Sequence, residues 1–204
     1  MLLPDVNYGK FLWVLDSGHG EATKGKESPV WSDGTQLKEY AFNREMTRLL
    51  MYHAPEFKLK MATIDEGDFD IGLPRRVRKI HEIKERRPKR VISNHANGWG
   101  KDHLVHGVEV FTSKGATEAD VVAEYICKEL FSIKSVNARY DITDGDLDKE
   151  AHFYILRETK PPAVLIEYGF MTNENECKLL MSESYRLTLA YSVLTALKKY
   201  EDSK

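Results

Sequence analysis

The chain has 204 residues, 42% apolar and 30% charged, with a formal net charge of −2. That suits one globular domain with enough interior for a core, and the near-neutral balance excludes a global pull toward nucleic acid or an anionic membrane surface. Two cysteines without a CxxC, Cys127 and Cys177, give no thiolate zinc site and no disulfide framework; no apolar run reaches the ~18 residues of a membrane-spanning helix, and "MLLPDVNYGK" lacks the regions of a signal peptide, which predicts synthesis in the cytoplasm.

Strand-like and helical runs alternate along the chain. "FLWVL" (11–15) is short, apolar and β-rich, the mark of a buried strand. "LKEYAFNREMTRLLMYH" (37–53) carries apolar residues close to a helical period. "FKLKMAT" (57–63) alternates like a strand, and "LPRRVRKIHEIKERR" (73–87) reads as a helix with Pro74 early, where proline is tolerated. "RVISNHA" (90–96) and "GVEVFTS" (107–113) are predicted strands. "TEADVVAEYICKELFSI" (117–133) is a predicted helix capped by Thr117, with Asp120 three residues on. "HFYIL" (152–156) and "AVLIEYG" (163–169) are predicted strands, and a last helix covers roughly 182–200. The alternation predicts one α/β domain with its sheet between helical layers, a short arm at 1–10 and a tail at 201–204. Segments 16–36, with four glycines, and 134–151, rich in aspartate, are long irregular stretches of the kind that carry function.

Polar residues collect where the predicted strands end. His19 follows the first strand between two glycines, His95 lies near the end of "VISNHAN", Glu167 near the end of "AVLIEYG", and Glu39 in the first turn of the first helix. Ligand sites of open α/β sheets form at the carboxyl ends of strands. Two histidines and a carboxylate are a ligand set of catalytic zinc, and a further carboxylate can act as general base. Taken singly, a histidine after a strand is more often structural, and a glutamate in a first turn is usually a solvated residue near the favourable end of the dipole. Glu167 stands out: a carboxylate inside an otherwise apolar run needs either a buried partner or a task.

In order along the chain, "LDSGHG", "LKEYAFN", "SNHAN", "GVEVF" and "AVLIEYGFMTNENE" resemble the motifs of the zinc-dependent N-acetylmuramoyl-L-alanine amidases, bacterial and phage cell-wall hydrolases. The resemblance runs from about residue 11 to the C-terminus. It implies a twisted mixed, largely parallel sheet flanked by helices on both faces. It implies one zinc ion held by His19, Glu39 and His95, with Glu167 as the catalytic carboxylate. It also implies cleavage of peptidoglycan between the lactyl group of N-acetylmuramic acid and the L-alanine of the stem peptide. The sequence departs from the pattern at Ser17, where the family often has proline, and at Thr63-Ile64, where a Thr-Arg pair is common.

Four further residues are candidates for substrate contact or for orienting the ligands: Asn43, one turn after Glu39; Asn97, two after His95; His106, just before "GVEVF"; and Arg157, read as following a strand and able to pair with a stem-peptide carboxylate. His103 and His106, three apart in an extended segment, point to opposite faces and make a poor ligand pair. "DGDLDKE" has Asp144, Asp146 and Asp148 in a calcium-loop pattern but lacks its glycine and its closing glutamate, so it reads as a solvated acidic loop. The basic stretch 75–90 reads as the wet face of a helix. Two other functions share these residues: a zinc carboxypeptidase-type enzyme acting within the stem, and a non-catalytic peptidoglycan-binding module. A "DSGHG" phosphate loop is weakened by the absence of any GxGxxG or GxxxxGK[ST]. Without a signal peptide, a regulatory or holin-type partner is the expected route to the wall.

Overall fold

A computed structural model describes residues 9–100, 103–143 and 145–204. The elements in chain order are β1 (Leu12–Ser17), α1 (Glu39–His53), β2 (Lys60–Thr63), α2 (Leu73–Glu82), β3 (Lys89–Asn97), β4 (Glu109–Thr112), α3 (Glu118–Phe131), β5 (Lys149–Glu150), α4 (Tyr154–Glu158), β6 (Ala163–Phe170), α5 (Glu174–Met181) and α6 (Glu183–Asp202). They build one six-stranded sheet in the order β2-β1-β3-β6-β4-β5. Neighbours run parallel except at β4–β6, which is antiparallel. The expected mixed, largely parallel α/β sheet is what forms.

Alternation along β1 divides the core. Trp13 and Leu15 face the larger layer, with Met46 and Leu50 of α1, Ile126 of α3 and Leu194 of α6. Leu12 and Val14 face the smaller one, with Val77 and Ile80 of α2 and Ile155 of α4. A parallel strand covered on both faces reads as a continuous apolar run, which is why "FLWVL" shows no alternation of its own. Among the described residues no helix is long and apolar enough to cross a membrane.

Several boundaries differ from expectation. The segment 57–63 opens with a 3-10 turn at Ala54–Phe57 containing Pro55, then turns at Lys58 with φ +55°, so the strand starts only at Lys60. The helix expected over 73–87 stops at Glu82, where Lys89 Nζ donates to the carbonyls of Ile80, His81 and Ile83. A cation there satisfies open carbonyls and complements the helix dipole. "HFYIL" is not a strand: Phe153 is the N-cap of α4, with Ile155 and Leu156 both buried. Periodicity cannot separate strand from helix in so short an apolar run. The helix α5 was not anticipated, although Asn173 and Glu176 have capping-box spacing; the Asn173 side chain accepts from Glu176 N at 3.0 Å. Thr117 caps α3 as expected.

The proposed tail at 201–204 is also corrected. Helix α6 continues to Asp202, and the buried Glu201 accepts from the Trp13 indole and from Lys10 N, each at 2.8 Å. Apart from Gly9 and Lys10, the proposed arm lies outside the described residues. Glu201→Ala leaves a buried indole N–H without a partner, so a loss of about 1–3 kcal/mol is expected in denaturant unfolding. An unchanged midpoint would show that this link contributes nothing.

Candidate active site

The first strand ends on a buried acid. Asp16 Oδ1 accepts from Arg76 Nη1 at 2.6 Å and Asp16 Oδ2 from Ser93 Oγ at 2.6 Å. The chain then turns through Gly18-His19-Gly20. His19 itself takes the left-handed conformation, φ +63°. Both glycines are there for close approach: a Cβ on Gly18 would lie 2.0 Å from the His95 ring, and one on Gly20 would lie 2.1 Å from Asp70 N. The His19 carbonyl is held by Arg44 Nη1 and Arg76 Nη2, each at 3.1 Å.

Glu39 is the first residue of α1 and is buried, not solvated. Its Oε1 lies 3.0 Å from His95 Nδ1 and 3.4 Å from His19 Nε2. The two imidazole rings stand 5.1 Å apart and nearly perpendicular. One donor atom from each of the three residues lies within 4.8 Å of the others, the one such group among the described residues. Burial alone would raise the Glu39 carboxyl, but the bonds from His19 and His95 outweigh it and hold it far below the usual range. Burial likewise opposes charge on His95, and the bond to Glu39 reverses that. Glu39 Oε2 is buried with no hydrogen-bond partner. Two imidazoles and a carboxylate converging around an unsatisfied oxygen fit a zinc ion, which takes such ligands and leaves a position open.

Glu167 pairs in register with His95 across β3 and β6. Its Oε2 is buried without a partner, and burial, with Glu39 and Glu109 adding to it, pushes its carboxyl up to about 8 against the pull of His95 and Lys26. All four predicted groups therefore meet at one edge of the sheet. Three of them, His19, His95 and Glu167, line a cleft of about 400 Å³ that Leu73, Phe153, Tyr154 and Leu165 also line.

The remaining candidates separate. Asn43 is buried and donates to Gly18 O at 3.0 Å, with Glu39 Oε1 at 3.5 Å, so it braces the glycine turn and the glutamate. Asn97 donates to Glu109 Oε2 at 2.7 Å, behind the site, and does not line the cleft. His106 is exposed, bonded to Leu104 O and outside the cleft, and His103 turns to Thr172 O. Arg157 lies on α4 rather than after a strand, bonded to Glu158 and His152 O; the cleft takes Tyr154 and Ile155 of that helix instead. Asp148 is buried, not solvated, and accepts from Thr112 Oγ1 at 2.7 Å; Asp144 lies outside the described residues. Segment 134–151 sends Arg139 Nε and Lys149 Nζ to Glu109 Oε1, at 2.9 and 2.6 Å.

Arg76 is the residue that the reading of 75–90 as a wet face missed. It is buried, with bonds to Asp16, Asp70 and the carbonyls of Ser17, His19 and Ile71. The signal was there: Arg76 stands next to Val77 and four residues before Ile80, on the inward face of the helix.

Two outcomes follow. Arg76→Met strands the Asp16 carboxylate and is expected to cost about 3–5 kcal/mol in unfolding free energy; a cost under about 1 kcal/mol would mean Asp16 finds another partner. In metal-free protein, Glu167 keeps its proton to about pH 8 when folded and only to its ordinary value near 4.5 when unfolded. Stability is therefore lost as pH rises from 4.5 through 8. Glu167→Gln removes that loss, so the variant should match wild type near pH 4 and melt higher near pH 9. Equal melting at both pH values would refute the raised pKa.

A family model described as N-acetylmuramoyl-L-alanine amidase matches residues 14–199. An uncharacterized cell wall amidase of Bacillus anthracis is 28% identical over 94% of this chain and 35% of its own length. The N-acetylmuramoyl-L-alanine amidase CwlM of Bacillus licheniformis is 32% identical over 86% of this chain and 63% of its own. The chain thus spans less than two thirds of either relative. The solved N-acetylmuramoyl-L-alanine amidase AmiC2 of Nostoc punctiforme, 24% identical, superimposes with a TM-score of 0.78 over 95% of this chain and 98% of that one, a likeness of fold. With the matched region running from β1 through α6 and taking in His19, Glu39, His95 and Glu167, the chain belongs to the N-acetylmuramoyl-L-alanine amidase family.

Proposed function

We propose that this domain hydrolyses the amide between N-acetylmuramic acid and the L-alanine of the peptidoglycan stem, using one zinc ion held by His19, Glu39 and His95. The observation that carries the reading is the convergence of those three donor atoms within 4.8 Å beside a carboxyl group of raised pKa, in a chain of this family. When bound, zinc supplies Lewis acidity that polarises an amide carbonyl and lowers the pKa of water toward about 7. Glu167 takes the proton from the attacking water and delivers it to the departing nitrogen. The carbonyl carbon gains an oxygen, the carbon–nitrogen bond breaks, and the products are a lactyl carboxylate and a free L-alanine amine. A carboxyl group near neutrality suits both halves of that transfer. Asn43 and Arg76 act behind the ligands, fixing Glu39 and the His19 carbonyl so that the site is preformed.

The defining experiment digests purified peptidoglycan with zinc-loaded protein, with and without a chelator. New L-alanine amines, no new reducing sugar ends, and loss on chelation are expected. Amines from inside the stem would mean a peptidase, and no cleavage by metal-loaded protein would mean a binding module. Glu167→Gln should retain its metal and lose about 10²- to 10⁴-fold in kcat. Metal retention with full turnover would remove Glu167 from the chemistry.

A further inference from the structure

The cleft has an uneven distribution of charge that bond cleavage does not use. Its acidic lining outside the four central groups is already engaged. Asp16 is bonded to Arg76 and Ser93, and Asp70 to Arg76 and Thr23. The Arg76 guanidinium is spent in turn on those carboxylates and on three carbonyls. Lys26 differs. It lines the same cleft with its side chain 42% exposed, and its Nζ forms a long ion pair with Glu39 Oε2, at 3.6 Å, beyond hydrogen-bond distance. Its backbone is fixed there, because Lys26 O accepts from Glu39 N at 2.9 Å and the next residue, Glu27, bridges to Lys38. A dication on Glu39 would satisfy that carboxylate and leave the ammonium as surplus positive charge facing the cleft. In the same cleft, Leu73 and Phe153 present exposed apolar surface. A ligand complementary to both features has a small apolar body with an anionic group on a short tether.

We infer that Lys26 is a specificity-determining residue that binds a carboxylate on the stem peptide close to the scissile amide. The enzyme would then favour stems whose second residue carries a free carboxylate over stems in which that group is a primary amide. The inference rests on the amidase reading, which supplies the stem. Two extended residues span roughly 7 Å, so a carboxylate on the second residue stays within the neighbourhood of the cut. An ammonium is a compact point charge on a flexible stem, suited to a carboxylate whose exact position varies.

The test compares two soluble muramoyl dipeptides, identical except for a free carboxylate or a primary amide on the second residue, as substrates of the zinc-loaded protein. Wild type should show a KM roughly two- to fivefold lower for the carboxylate form with similar kcat, the size expected of one partly exposed charge pair. Lys26→Gln should bring the two KM values together, Lys26→Glu should reverse their order, and Lys26→Arg should keep the preference. An equal KM ratio in wild type and Lys26→Gln overturns the inference and leaves the amidase reading standing. No L-alanine amine from either dipeptide or from whole peptidoglycan overturns both.

Discussion

The site depends on the buried guanidinium of Arg76. It reaches from α2 to the end of β1 and binds Asp16, the carbonyls of Ser17, His19 and Ile71, and Asp70. Those groups belong to the strand end, the His19 turn and the segment before α2, so one side chain makes three chain segments a single unit. Only a planar, permanently charged fork can serve a carboxylate and several carbonyls at once, which a lysine could not do. The turn needs the support. A non-glycine residue in the left-handed region is held against a conformational cost of order 1 kcal/mol or more, and surrounding contacts must over-determine it. Arg44 adds a second grip on the same carbonyl.

Sheet order then supplies the rest of the constellation. Strands β1, β3 and β6 are adjacent and parallel, so their carboxyl ends open on the same edge. Register places His95 beside Glu167, and the glycine at 18 lets the β1 turn pack against the His95 ring. Glu167, His95 and His19 thus come from two strands and the turn that ends a third, and Glu39 comes from the start of the helix that packs on the sheet. The antiparallel strand β4 contributes differently. Glu109 lies directly opposite Glu167 and is held by Asn97, Arg139 and Lys149. Its charge adds to the burial that raises the Glu167 carboxyl.

Much of this was legible in the sequence because the informative residues broke a pattern. Glu167 interrupts an apolar run, His19 sits between glycines at a strand end, and each strand that carries the site is a short β-rich block. The sheet and its helical layers followed from alternation alone. What was not legible depends on where a side chain points. Arg76 and Arg78 look alike in a basic helix, yet Arg76 is buried among the site's carbonyls. Glu201 looks like the start of a tail, yet it holds an indole in β1. Arg157 and "HFYIL" failed together: once the segment is a helix, its inward residues line the cleft and its arginine turns away. Nor does the sequence show what the flanking glycines do: the positive φ falls on His19, and Gly18 and Gly20 are required by contact distance.

The departure at Ser17 shows how such a site tolerates change. A proline at that position, common in the family, has no N–H to donate. Here Ser17 N donates to Asp65 Oδ1 at 3.2 Å and Ser17 Oγ donates to Asp65 Oδ2 at 2.6 Å. Asp65 follows Thr63-Ile64, the second place where the sequence leaves the family pattern. The contact joins the end of β1 to the segment after β2, next to the second departure. The serine hydroxyl also meets Thr47 Oγ1 of α1 at 2.7 Å, and Thr47 in turn accepts from Asn94, whose Oδ1 takes the Tyr168 hydroxyl. A rigid ring at the turn is thus replaced by a buried hydrogen-bonded chain that spans β1, α1, β3 and β6. Each member of such a chain has a fixed geometry only while its neighbours are present. The strand end beneath His19 is consequently held by side chains from four elements, and the donor set is kept in place without the proline.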